Sequence, residues 1–182
     1  MFKSRLIGII ENFALTARDY IGQEAFEKME NFKHRAMSCF TKGFKEPYGD
    51  FQTIIHGDPW INNAIFKFEN GQAVEIAMVD FQMVRVTSPV VDLAYLLMTG
   101  TRPDLRQKHE KKWLKIYFDQ LSKDLITLGY EPEKLYTFEQ LVKDFDHMRD
   151  FGLCYGLMHV QVSFKSLTAS RTTFKSCFIY FF

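Results

Sequence analysis

The chain has 182 residues, 47% of them hydrophobic, enough to bury the core of one domain or of one part of a larger one. Its 23 basic and 22 acidic residues leave a formal charge of +1, which excludes the basic footprint of a nucleic-acid binder. No apolar run approaches the roughly 20 residues of a membrane span, "LIGII" stops at Glu11 and is too short for a signal-peptide core, and three widely spaced cysteines (Cys39, Cys154, Cys177) read as reduced thiols of a cytoplasmic protein.

In chain order, the first 45 residues read as helix. Leu6, Ile9, Ile10, Phe13 and Ala17 recur at three- and four-residue steps, with no proline before Pro47. Gly43, Pro47 and Gly49 mark a loop. From Thr53 the period changes: "TII" leads into the polar segment "HGDPWINN", "AIFKF" follows, and Asn70-Gly71 separates it from "AVEIAMVDF". Asn-Gly between alternating runs predicts a β-hairpin, because both residues tolerate positive φ, and its second strand delivers Asp80.

Past Pro89, "VVDLAYLLM" predicts a short apolar helix. Leu105, His109, Trp113, Ile116, Tyr117, Leu121, Leu125 and Leu128 then form one face of a longer helix that stops at Gly129. The mixed-sign run "KHEKKWLK" is its solvated side. Thr137 with Gln140 has the form of a capping box and opens a last helix, through Leu141, Phe145, Met148 and Phe151 to about Phe164. The segment "RTTFKSCFIYFF" has neither a helical nor a strand period. Residues 166–182 are therefore expected to lie outside the core of a mainly helical α+β domain spanning 1–165. No internal repeat is present.

The chemistry concentrates in His56-Gly57-Asp58, in Asn63 five residues after that aspartate, and in Asp80 beyond the hairpin. Protein kinases place an aspartate and an asparagine at this same offset. The aspartate orients the attacking hydroxyl and accepts its proton; the asparagine and a second aspartate hold the Mg²⁺ ions that bridge the nucleotide phosphates. The spacing serves that chemistry, since one turn of loop puts a carboxylate at the hydroxyl and an amide oxygen at the metal, and a hairpin returns the second acid beside them. Oxygen ligands are what Mg²⁺ demands. On this pattern Asp58 is the candidate base, and Asn63 and Asp80 the candidate metal ligands. Asp58 and Asn63 also have a plainer reading as turn residues, whereas a carboxylate closing the apolar run before Asp80 is costly unless something pairs with it.

The neighbours are read more quietly. His56, ending a strand, is expected to be a hydrogen-bonded scaffold residue, Asn62 to brace the loop, and Asp92 to bond the loop backbone from inside its helix. Trp60 either borders a substrate pocket or packs, and Phe81 and Tyr95 are assigned to the core. Gly57 stands where many protein kinases carry an arginine that pairs with a phosphorylated activation loop. Only twelve residues separate Asp80 from Asp92, which leaves little room for a peptide-binding segment. Both features favour small-molecule substrates.

The blocks "HGDPWINNAIFKF", "VEIAMVDFQMVRV" and "TSPVVDLAYLL" resemble the ecdysteroid kinase-like (CHK kinase-like) family, relatives of choline kinases and aminoglycoside phosphotransferases. The family pattern H-G-D-x-W-x-N-N, then V-D-F-Q, then S-P-x-x-D-L-x-Y occurs in order, and the resemblance covers about residues 1–165. It implies the large, C-terminal lobe of a protein-kinase-like fold, ATP and Mg²⁺, and phosphorylation of a small-molecule alcohol (an ecdysteroid, a choline-like or a xenobiotic alcohol). Pro59 departs from the leucine usual in the family and biases Asp58 toward extended backbone. Nothing before Thr53 resembles the strand-rich small lobe with its glycine-rich loop and lysine. The expectation is therefore a C-terminal lobe that turns over weakly by itself, or a non-catalytic lobe that binds a partner or lipophilic ligand through its aromatic surface (16% aromatic, 19 Phe).

Overall fold

The computed structural model describes residues 2–45 and 49–166. The chain forms helices α1 (Phe2–Lys45), α2 (Val90–Gly100), α3 (Pro103–Thr127), the single turn α4 (Pro132–Leu135) and α5 (Phe138–Ser166), with two small antiparallel sheets between α1 and α2 in sequence. Strand β1 (Thr53–Ile55) pairs with β4 (Arg85–Thr87), and β2 (Ala64–Glu69) pairs with β3 (Gln72–Met78). The mainly helical α+β expectation holds. The segment 167–182, including Cys177, lies outside the described residues, as does Pro47. Cys39 and Cys154 are free thiols.

The first helical run is not one rod. Glu11 and Lys33 form an ion pair at 3.3 Å. A straight helix would separate positions that far apart by about 33 Å, so α1 doubles back between them. Ile10 of the predicted seam is buried, together with Met29, Phe32, Ala36 and Phe40 of the returning limb. The helix continues through Gly43 to Lys45, so the expected loop starts later than that glycine.

Helix α2 is apolar on nearly every side and therefore sits in the middle. Val90, Val91, Ala94, Tyr95, Leu97 and Met98 are all buried. Its main neighbour is α5, whose Leu141, Phe145, Met148, Phe151 and Leu157 complete the core; burying each such side chain stabilises the fold by about 1.5–3 kcal/mol. At Gly152 the two backbones approach so closely that a Cβ would lie 2.3 Å from the Ala94 carbonyl oxygen.

On α3 most of the expected face is partly buried: Trp113, Tyr117 and Leu121 pack against the core beside the fully buried Leu114 and Phe118, while Leu105, Ile116 and Leu128 are exposed. Arg106, which the apolar pattern left out, is buried as well; its guanidinium donates to the Leu97 and Thr101 carbonyls and so caps the C-terminal end of α2. Helix α3 ends as expected at Gly129. The Gly129 N–H donates to the Ile126 carbonyl and the Tyr130 N–H to that of Leu125, the paired bonds of a Schellman stop. At the start of α5, Thr137 Oγ1 accepts the Gln140 N–H at 3.1 Å, but the Gln140 side chain turns to Asp144, so only half of the capping box forms. Among the described residues no helix is long and apolar enough to cross a membrane.

Candidate functional site

Strand β1 delivers the chain to His56, and the backbone then reverses at Gly57 with φ +84°. A Cβ here would lie 2.1 Å from the Met83 carbonyl oxygen. No side chain fits, so the close approach of β4's lead-in requires glycine here. Strand β4 itself was not anticipated; three residues are too few to display a period. Asp92, on the first turn of α2, accepts the His56 N–H at 2.7 Å on Oδ2 and the Gly57 N–H at 3.0 Å on Oδ1. Burial pushes its carboxyl up from the usual range, and the two backbone donors pull the other way. One side chain thus ties the loop to the central helix.

His56 points the other way. Its Nδ1 accepts the Asp58 N–H at 3.3 Å, and its Nε2 lies 2.9 Å from the Val79 carbonyl oxygen. A carbonyl only accepts, so this ring nitrogen is the donor of the pair. The N–H of the same Val79 donates to the Asn63 carbonyl at 2.9 Å. The residue before Asp80 is therefore gripped at both ends, by His56 and by Asn63. Asp80 follows in left-handed backbone (φ 65°, ψ 63°), an uncommon conformation for a non-glycine residue. Its carboxylate is exposed, and among the described residues only Gln82 Nε2 reaches it, at 3.3 Å.

Asn63 is 7% exposed at the end of a 3-10 turn, Ile61–Asn63. Its Nδ2 donates to the Asp58 carbonyl at 2.9 Å and to Asp58 Oδ2 at 3.1 Å. The five-residue offset thus closes a loop in which the asparagine side chain holds Asp58 while its main chain holds the lead-in to Asp80. Asp58 and Pro59 lie in non-helical backbone, the conformation a proline favours in the residue before it.

Two residues at this carboxylate were not read as functional. Tyr95, assigned to the core, is 1% exposed, yet its hydroxyl meets Asp58 Oδ1 at 2.5 Å. The signal available was its position three residues after Asp92, on the same face of α2. His159 of α5 lies with Nε2 2.6 Å from the Tyr95 hydroxyl; it sits among apolar residues in the C-terminal half of that helix and had no signal of its own. Burial, then the Asp58 contact, raises the Tyr95 hydroxyl well above the ordinary phenol range, so it stays protonated; burial lowers His159. Trp60 stacks on the His159 ring, with centroids 4.3 Å apart.

Two expectations are corrected. Asn62 is exposed, and the side-chain bonds that hold the loop run instead to Asn63 and Asp92. Phe81 is 58% exposed and not a core residue; its ring lies 4.6 Å from that of His56. The donors present suit a hard cation. With Nδ2 engaged by Asp58, the Asn63 amide oxygen remains as an acceptor, and Asp80 adds a lightly engaged carboxylate. Among the described residues no group of three His, Cys, Asp or Glu could hold a metal ion.

Comparison with known proteins identifies a family. The model of the ecdysteroid kinase-like family matches residues 1–130, a stretch that holds the whole loop, the hairpin, α2 and α3. No curated protein and no solved structure matches the chain.

Proposed function

We propose that this chain, which belongs to the ecdysteroid kinase-like family, transfers the terminal phosphoryl group of ATP to a hydroxyl of a small molecule. The observation that carries the reading is the double role of Asn63, whose amide holds the Asp58 carboxylate while its carbonyl holds the peptide before Asp80. Asp58 orients the acceptor hydroxyl and takes its proton as the oxygen attacks. Asn63 and Asp80 would hold Mg²⁺ through oxygen atoms; when bound, the ion neutralises charge on the nucleotide phosphates. His56 and Asp92 keep the loop in shape, and Trp60 borders the acceptor pocket. Residues 1–165 act as the large lobe of a kinase-like fold in the cytoplasm. An ecdysteroid, a choline-like alcohol and a xenobiotic alcohol are the acceptor classes in view.

The two small sheets supply no glycine-rich cover for phosphates, so turnover by the 182-residue chain is expected to be slow. Calorimetric titration of Mg-ATP should give heat with wild type and lose it in Asp80→Ala. Asp58→Asn should retain that heat and lose phosphoryl transfer by about a hundredfold or more. Transfer that survives Asp58→Asn refutes the assignment of the base.

A second reading, a non-catalytic binding module, is favoured by the apolar surface of the hairpin and its surroundings. Ile54, Ile65, Phe68, Ile76 and Val86 are all more than half exposed. Absence of heat with Mg-ATP in both wild type and Asp80→Ala is the outcome that selects it.

A further inference from the structure

The Asp58 carboxylate is restrained at both oxygens, Oδ1 by the Tyr95 hydroxyl and Oδ2 by the Asn63 amide. A phenol has one proton, and an ionised carboxylate can only accept. With the Tyr95 proton directed at Asp58, the 2.6 Å contact with His159 requires Nε2 to donate into the tyrosine oxygen. The hydrogen bonds then run in one direction, from His159 through Tyr95 to Asp58. Both intermediate rings are held in place, His159 by Trp60 and Tyr95 by Tyr155, whose ring stacks at 3.9 Å.

The same face of α2 therefore acts twice on the loop. Asp92 fixes its main chain and Tyr95, one turn on, fixes the side chain of its central residue. A carboxylate bonded at one oxygen can still swing about its Cβ–Cγ bond; one bonded at both presents its remaining lone pairs in a set direction.

We propose that Tyr95 and His159 are positioning residues for Asp58, aiming its unengaged lone pairs at the acceptor hydroxyl. This rests on the reading of Asp58 as the base. The two residues touch neither Asn63 nor Asp80 through any of these bonds, so their effect belongs to the transfer step and not to nucleotide binding. Loss of aim by a fraction of an ångström is costly to a proton-accepting group, since about 1 Å of misplacement can cost a hundredfold.

Tyr95→Phe keeps the ring and its stack and removes only the hydroxyl. It should lower kcat roughly tenfold or more while leaving KM for Mg-ATP unchanged. His159→Gln retains an N–H donor at the end of the side chain and should keep most of kcat; His159→Leu should behave like Tyr95→Phe. Joining Tyr95→Phe to His159→Leu should add little further loss, because the two act in series. A second readout needs no turnover. Proton NMR of the wild-type chain should contain a downfield, exchange-protected hydroxyl resonance that vanishes in Tyr95→Phe and moves in Asp58→Asn and in His159→Leu. If that resonance is absent, or if Tyr95→Phe keeps kcat within about twofold where Asp58→Asn loses it, the positioning role is wrong and the reading of Asp58 stands. If Asp58→Asn itself turns over normally, the reading of Asp58 falls first.

Discussion

Asp92 and Asp80 bracket the site from opposite conditions. Asp92 is half-buried on the floor made by α2, and each of its oxygens takes a backbone amide from the loop above. Asp80 stands at the rim beyond the hairpin, exposed, in left-handed backbone, with a single long contact to Gln82. The floor resembles the interior of the fold, where polar groups are paired and burial strengthens each bond. The rim resembles a surface kept unfinished: its strands expose Phe68, Val74 and Ile76, and its acid has acceptor capacity left over. The acid that keeps the loop in shape is closed off, and the acid proposed to take a metal ion is not.

The contrast can be broken most forcefully at two glycines with nearly the same φ, Gly57 at +84° on the floor and Gly71 at +77° in the hairpin turn. An added Cβ at Gly57 meets the Met83 carbonyl, whereas at Gly71 nothing lies within 4 Å. Gly57→Ala should destabilise the fold by about 3 kcal/mol or more, combining backbone strain with a collision that only movement of the chain can relieve. Gly71→Ala should cost about 1 kcal/mol, the strain alone. Urea unfolding midpoints measure both, and equal losses would mean that the floor is no more closely packed than the rim.

Asp92→Asn is the next largest. An amide accepts through one oxygen and presents N–H groups on the other side, so one of the two loop amides loses its partner. The expected loss is about 1–3 kcal/mol in thermal or chemical unfolding; a neutral result would show that solvent reaches the loop amides. The smallest effect concerns His159. Burial lowers its pKa from 6.5, so the folded chain binds fewer protons there than the unfolded chain does. Its contribution is present above the ordinary histidine range and is lost as pH falls through the lowered value. Unfolding temperatures measured from about pH 7.5 down to about pH 5 should therefore fall less steeply in His159→Gln than in wild type. Parallel curves would show that the imidazole is not held neutral.

The hairpin of the rim and the Asp92 anchor of the floor could be read in the sequence, and the contacts of Tyr95 and His159 could not. The hairpin was legible because Asn70-Gly71 must adopt positive φ (51° and 77°), and the Asp58–Asn63 offset because it spans a single turn of loop. Local chemistry of that kind is written in neighbouring residues. Tyr95 bonds across 37 positions to Asp58, and His159 across 64 to Tyr95. Their apolar surroundings made the ordinary core assignment of Tyr95 natural, and it was half correct: the ring is core and the oxygen is not. On α3 the apolar pattern found Trp113, Tyr117 and Leu121 but not Arg106, whose burial depends on carbonyls at the end of α2 and not on its neighbours in sequence. The doubling back of α1 shows only when Glu11 and Lys33 are seen to touch.

The grip on Val79 has a consequence for how the site opens. Its N–H is tied to Asn63 and its carbonyl to His56, so Asp80 cannot drift from Asp58's loop unless both of those bonds break. The separation of the two acids is therefore governed by main chain and carries the same local opening free energy as that peptide. Amide exchange at a single position, Val79, counts the moments when the two halves of the site part, in the free protein and before any ligand has arrived.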